Sequence, residues 1–177
     1  KDEAPGKVKL DKIPTLKPAF TKDGTVTAAS SSSISDGAAA LVMMRAETAE
    51  KLGSKPLARL VAHATHSHQP EWFTTAPIGA AQKALAKAGW SKEEVDLWEV
   101  NEAFAAVTMA FMHEMGVGHD VVNVNGGACA LGHPVGATGA RIMTTLIYAL
   151  QARGKKRGVA ALCIGGGEAT AVAIELL

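Results

Sequence analysis

The chain of 177 residues has little of several things: cysteine, aromatic rings, net charge and long hydrophobic runs. Lys and Arg number 18 against 17 Asp and Glu, so the formal charge is +1. No field of one sign exists to hold nucleic acid or an anionic membrane surface, and neither is expected as a partner. The longest apolar stretch runs roughly from Ala103 to Met112, about half of what a spanning helix needs. Lys1 to Pro5 lack the apolar h-region of a signal peptide, and the missing initiator Met reads as a processed or truncated chain. Only Cys129 and Cys163 carry thiols. Two free thiols in glycine-rich segments suit a reducing compartment, so a cytoplasmic location is expected. What is present, 47% apolar and 20% charged residues, is ordinary for a globular domain and excludes disorder or a disulfide scaffold. The length fits one domain, or one domain with a piece of another.

The glycines are uneven: 12 of 18 fall between Gly116 and Gly167. Residues 1–31 carry Pro5, Pro14, Pro18 and an Asp23-Gly24 turn, and predict irregular chain without its own core. Asp36 as N-cap and Gly53 as stop bracket an expected helix over Ala38–Leu52, apolar all round in its first half and therefore buried between layers. From Leu57 the pattern predicts strand Leu57–Ala64, helix Pro77–Ala88, strand Val95–Val100, helix Glu102–Met115, short strand Val121–Val124, helix Pro134–Arg153, and strands Gly158–Ile164 and Ala169–Leu176 joined by Gly165-Gly166-Gly167. This β-α-β-α-β-α-β-β order predicts an α/β fold with a mixed, mostly parallel sheet.

Three segments could carry chemistry. In Asn123–Arg141 a glycine loop leads into a helix, with His133 at its start. A helix N-terminus disfavours imidazolium, so His133 is expected neutral, able to accept a proton or to donate to an oxyanion. It could equally be a structural turn residue. Cys163 ends a buried-type strand at a glycine turn whose amides could hold an oxyanion, although a buried Cys can be simple core. Asn101 follows a strand end, where open α/β sheets place ligand groups, but it could merely cap the next helix. His63, His66 and His68 lack further ligands at metal spacing, and no metal is expected. The spacing Gly132-x3-Gly136-x2-Gly139 is not the dinucleotide fingerprint.

Taken together and in this order, the motifs resemble those of thiolases. Asn101-Glu-Ala-Phe-Ala resembles the NEAFA box, Asn125-Gly-Gly-Ala-Cys-Ala-Leu-Gly-His133-Pro the GGxxALGHP box, and Cys163-Ile-Gly-Gly-Gly the CxGGG box. Lys12–Phe20 and Gly24-Thr-Val-Thr-Ala…Ser35-Asp-Gly-Ala-Ala-Ala are also similar, so the resemblance covers essentially the whole chain. The wording of the His133 box is most similar to the acetyl-CoA acetyltransferase branch.

The resemblance implies a thiolase-like fold. Residues 1–31 would be the tail of the loop domain, 32–56 the final segment and last helix of the N-terminal half, and 57–177 the C-terminal domain. His133 would activate a nucleophilic Cys and, with a water held by Asn101, bind the thioester oxygen. Cys163 would exchange a proton with the α-carbon of acetyl-CoA. The Gly165 amide would help hold the oxyanion on the acylated Cys. Ser32 would touch the pantetheine arm, with Ala103 and Phe104 lining its tunnel. Coenzyme A thioesters would be substrates, with no permanent cofactor. The nucleophilic Cys would lie in an N-terminal half absent from this chain, since Cys129 sits inside the His133 box. Partners would be acyl-CoA, CoA, that missing half and further copies in a homodimer or tetramer, and fatty acid metabolism the setting. Ser30 departs from the family, which usually has Asn there. The competing reading is a non-catalytic acyl-CoA or lipid-binding relative, for which intact Asn101, His133 and Cys163 would have no use.

Overall fold

The computed structural model describes residues 3–177; Lys1 and Asp2, where the expected loop-domain segment begins, lie outside the described residues. The first thirty residues form one helical turn, α1 (Ala4–Lys7), two 3-10 turns at Leu10–Thr15 and Ala28–Ser30, and otherwise irregular chain. Then follow α2 (Ala46–Lys51), β1 (Ala58–Ser67), α3 (Ala76–Ala88), β2 (Leu97–Val100), α4 (Ala105–Met115), α5 (Ala128–Leu131), α6 (Thr138–Ala152), β3 (Arg157–Ile164) and β4 (Glu168–Leu176).

The four strands form one sheet in the order β1-β4-β3-β2. It is mixed, but two of its three ladders, β1 with β4 and β3 with β4, are antiparallel; only β2 with β3 is parallel. The expectation of a mostly parallel sheet is therefore corrected. Alternating elements show how strands are connected, and not which of them become neighbours. The expected strand at Val121–Val124 is reduced to one parallel bridge between Val122 and Trp98, because the chain turns in a 3-10 helix at His119–Val121.

Helices cover both faces, as period-two alternation along β3 and β4 requires. Val159, Ala161, Ala169, Ala171 and Ala173 face α3 and α4, whereas Ala160, Leu162, Val172 and Ile174 face α6. The α3 side is lined with alanine: Ala80, Ala81 and Ala84 of the helix lie fully buried against the strand alanines. Small residues on both surfaces let helix and sheet approach closely. Larger groups fill the flank, where Trp98 and Phe111 meet edge-on with ring centroids 5.4 Å apart.

The expected helix over Ala38–Leu52 forms only at Ala46–Lys51, with Arg45 instead of Asp36 at its N-cap. Gly53 does stop it, at φ +64. Residues 38–45 take no regular structure and are not buried between layers; Val42 is 89% exposed and Met43 60%. A short apolar run has no periodicity to select helix over strand. Here it has neither a helix-packing surface nor a strand neighbour among the described residues.

The β3–β4 connection is a tight turn closed by Gly167 N–H donating to Ile164 O at 3.2 Å. Gly167 has φ +87, and a Cβ there would overlap the His68 carbonyl. Gly167→Ala should therefore destabilise the protein by about 2 kcal/mol or more through backbone strain and the clash. Urea unfolding should show a lower midpoint at unchanged m-value.

Candidate active site

The sheet ends at Val100, and Asn123 holds that end in place of a neighbouring strand. Its side-chain Oδ1 accepts from Val100 N–H and its Nδ2 donates to Val100 O, both at 2.8 Å. Asn123 adopts φ +48 to do so. Asn101 follows at once, 1% exposed, its N–H donating to Ala161 O of β3 at 2.8 Å. Parallel pairing thus sets Asn101 beside the strand that carries Cys163 one residue before its end.

His133 follows α5 and Gly132, whose φ is +89 and where a Cβ would overlap the Ser35 side chain. The His133 N–H donates to Ser33 O at 2.8 Å. One residue earlier, Ser32 donates through both N–H and Oγ to Ala103 O, at 3.1 and 2.8 Å, and Ser31 bridges Phe104. The Ser31–Ser35 strip therefore ties the Asn101 segment to the His133 segment. Phe104 meets Phe20 and Phe73 edge-on, at centroid distances of 5.9 and 6.5 Å. Ser30 closes a capping box with Thr27, so the loop before Ser32 is locally well made without Asn.

Asn101 Nδ2 and His133 Nε2 lie 3.4 Å apart, and His133 Nδ1 lies 2.8 Å from Thr138 Oγ1. Thr138 Oγ1 donates its one proton to Pro134 O at 3.0 Å. It must therefore accept from Nδ1–H, which leaves the lone pair of the neutral ring on Nε2. Burial, and after it the charge of Arg141, holds His133 below its ordinary pKa. The expected neutral state thus has a different origin from the one assigned to it: α6 begins at Thr138, five residues beyond the ring. The network supplies a base whose accepting atom is fixed.

Cys163 is half-buried, and burial pushes its thiol up from the ordinary value. It rests as a thiol, and its thiolate, once formed, is a strong base. Gly165 in the following turn is exposed, with open space on its Cα. Among the described residues no hydrogen bond joins Cys163 to Asn101 or His133. Cys129 is a different thiol: its N–H donates to Glu102 Oε2 at 3.0 Å, and burial followed by the Glu102 charge pushes its pKa up to about 12. That environment suppresses the thiolate a nucleophile needs. The described residues contain no group of three metal-ligand side chains, and the His66 and His68 rings stack edge-on at 5.3 Å.

Three residues of this neighbourhood were not singled out as site residues in the sequence, although Thr138 and Arg141 lie within the Asn123–Arg141 segment and only Glu99 lies outside it: Glu99, Thr138 and Arg141. The Arg141 guanidinium donates to Glu99 Oε1 at 3.2 Å and to Asn101 Oδ1 at 3.4 Å. A usable signal existed, since Glu99 is the only charged residue of β2 and Arg141 the only one of α6. A lone charge in an apolar element calls for a partner.

A fixed neutral imidazole beside an amide donor, with a half-buried thiol near the adjoining strand end, is the equipment of proton-transfer chemistry on an α/β sheet. The family model of the thiolase C-terminal domain matches residues 54–176, and that of the thiolase N-terminal domain matches residues 1–47. The chain belongs to the thiolase family. It is 52% identical over 165 residues to an acetyl-CoA acetyltransferase of Chromobacterium violaceum, covering 93% of this chain and 42% of that protein. The crystal structure of the Bacillus anthracis acetyl-CoA acetyltransferase superposes with a TM-score of 0.95 at 46% identity, over 100% of this chain and 45% of that one. A thiolase from Ascaris suum, solved in complex with coenzyme A, gives 0.89 at 41% identity, over 100% of this chain and 46% of its own. The chain thus spans less than half the length of these relatives.

Proposed function

We propose that the chain is the C-terminal portion of an acetyl-CoA C-acetyltransferase, catalysing the reversible condensation of two acetyl-CoA to acetoacetyl-CoA and CoA. The observation that carries this reading is the His133–Asn101 pair, its accepting nitrogen fixed by Thr138, at the sheet end shared with Cys163. His133 Nε2 takes the proton of a nucleophilic Cys supplied by the N-terminal half. That sulfur attacks the thioester carbonyl, and CoA leaves as the thiol with a proton from water, while the Cys163 thiol gives its proton to water and His133 keeps the one it took. Cys163, as thiolate, then removes a proton from the α-carbon of a second acetyl-CoA. The carbanion attacks the acetylated Cys, forming the new carbon–carbon bond, and the released sulfur takes its proton back from His133. Thiolysis runs the same steps backwards, with the Cys163 thiol protonating the leaving enolate. A raised pKa suits both directions: the resting thiol is the acid thiolysis needs, and the thiolate is basic enough for a weakly acidic carbon.

In this reading the Gly165 amide faces the oxyanion of the acylated Cys. Protonated His133, with a water held by Asn101, binds the thioester oxygen of the acetyl-CoA being deprotonated. Ser32, Ala103 and Phe104 border the pantetheine arm, supported by their packing against one another. Coenzyme A thioesters are substrates, and no permanent cofactor takes part. The segments 1–31, 32–56 and 57–177 belong to the loop domain, the N-terminal half and the C-terminal domain, and the whole protein is a cytoplasmic homo-oligomer of fatty acid metabolism.

The test is thiolysis by the full-length protein. Acetoacetyl-CoA and CoA should be consumed together, yielding two equivalents of acetyl-CoA. A full-length protein that binds acetyl-CoA but turns nothing over would be the non-catalytic binder instead.

A further inference from the structure

We propose that buried Glu99 and half-buried Arg141 form a positioning pair that holds the Asn101 side-chain amide with its nitrogen, and not its oxygen, toward His133. This inference rests on the acyl-transfer reading above. Glu99 is 2% exposed, and Arg141 reaches it from α6 across the sheet face at 3.2 Å. Removing two charges from water costs free energy that their attraction does not reliably return, so such a pair is a poor device for stability alone. The cost is larger here because Arg141 Nε is buried without a hydrogen-bond partner.

What the pair does obtain is direction. An amide side chain has nearly the same shape either way round, so packing alone does not choose its orientation. Arg141 has donors only, and its second nitrogen sits 3.4 Å from Asn101 Oδ1. The oxygen must therefore face Arg141, which turns Nδ2 toward His133. Independently, the Thr138–Pro134 bond puts a proton on His133 Nδ1 and a lone pair on Nε2, which can only accept. The two constraints enter from opposite ends of the network and agree. Without Arg141 the amide could rotate, an acceptor would confront an acceptor, and Asn101 would present no donor toward the water it holds for the thioester oxygen.

The guanidinium has a second effect, because after burial it is the charged group that bears on His133, and it opposes the burial that pushes Glu99 up to about 7. Glu99 anchors the cation at one end, so that its charge and its free donor stay beside Asn101.

The experiment uses the full-length protein and two variants. Glu99→Leu/Arg141→Leu replaces the pair with apolar groups, which buried sites commonly accept. Arg141→Lys keeps the charge but lacks the planar fork that serves two acceptors. In thiolysis the double variant should lose kcat by about tenfold or more while KM changes by less than about twofold. The acid limb of its pH profile should move up toward the ordinary histidine pKa. Arg141→Lys should lose kcat yet keep the wild-type acid limb. A folded double variant with wild-type kcat and acid limb overturns the proposal. If the double variant fails to fold, wild-type kcat in Arg141→Lys overturns it. Nitrogen-15 NMR titration of His133 needs no turnover, so an inactive wild type would defeat only the acyl-transfer reading. An unchanged His133 titration in the double variant would defeat the pair.

Discussion

His133→Ala in the full-length protein should slow acetylation of the nucleophilic Cys by on the order of a hundredfold or more, whereas Cys163→Ala should leave acetylation nearly intact. Both variants should be dead at steady state, because each removes a proton transfer the cycle cannot bypass. They separate in a single turnover. The first half-reaction needs a base for a thiol, and His133 is poised for that, neutral and with Nε2 as its acceptor. The second needs a base for a carbon acid, and Cys163 makes no hydrogen bond to His133 that would merge the two tasks. Rapid-quench measurement of protein-bound acetyl after mixing with labelled acetyl-CoA reads the first step alone. Equal slowing of acetylation in both variants would show that Cys163 is not a separate second-step base.

The 177-residue chain by itself should show no detectable thiolysis of acetoacetyl-CoA, and should aggregate or remain bound to a second polypeptide. Its two thiols are Cys163, assigned to the carbon acid, and Cys129, whose pKa of about 12 keeps it protonated. Neither can carry the acetyl group. The surface points the same way. Ile34 is 91% exposed on the outer side of the strip bound to His133, and Val42 (89%) and Met43 (60%) lie along chain with no neighbouring layer among the described residues. An apolar patch of that kind is ordinarily covered in a stable protein. Sedimentation velocity and a coupled CoA assay on the purified chain check both parts. A monodisperse monomer, or turnover free of any other polypeptide, would contradict the expectation.

Residues that act as punctuation, and the boxes proposed to carry chemistry, were readable in the sequence. Gly53, Gly89 and Gly116 all take positive φ at the helix ends where a stop was expected. The Asn101 and His133 boxes, 32 residues apart, come within 3.4 Å. What was not readable depended on partners distant along the chain. The apolar run from Ala38 to Met44 is rich in alanine, which favours helix, yet its conformation depends on what it packs against. The sheet order β1-β4-β3-β2 was hidden for the same reason, since β4 enters between β1 and β3 as the return arm of a hairpin. Glu99 and Arg141 lie 42 residues apart and belong to no box, so only the geometry pairs them.

The strip from Ser31 to Ser35 bears on how proteins of this family can be recombined. By sequence it falls within the stretch matched to the N-terminal domain, residues 1–47, yet its backbone bonds go to Ala103, Phe104 and His133. A chimera joined in the obvious gap between 47 and 54 would graft a foreign strip onto both site-bearing segments and transmit any mismatch straight to the imidazole. A crossover placed near Thr27, upstream of the capped turn, would carry the strip along with the loops it binds. The unit of inheritance for this half of the site is thus longer than the domain that appears to contain it.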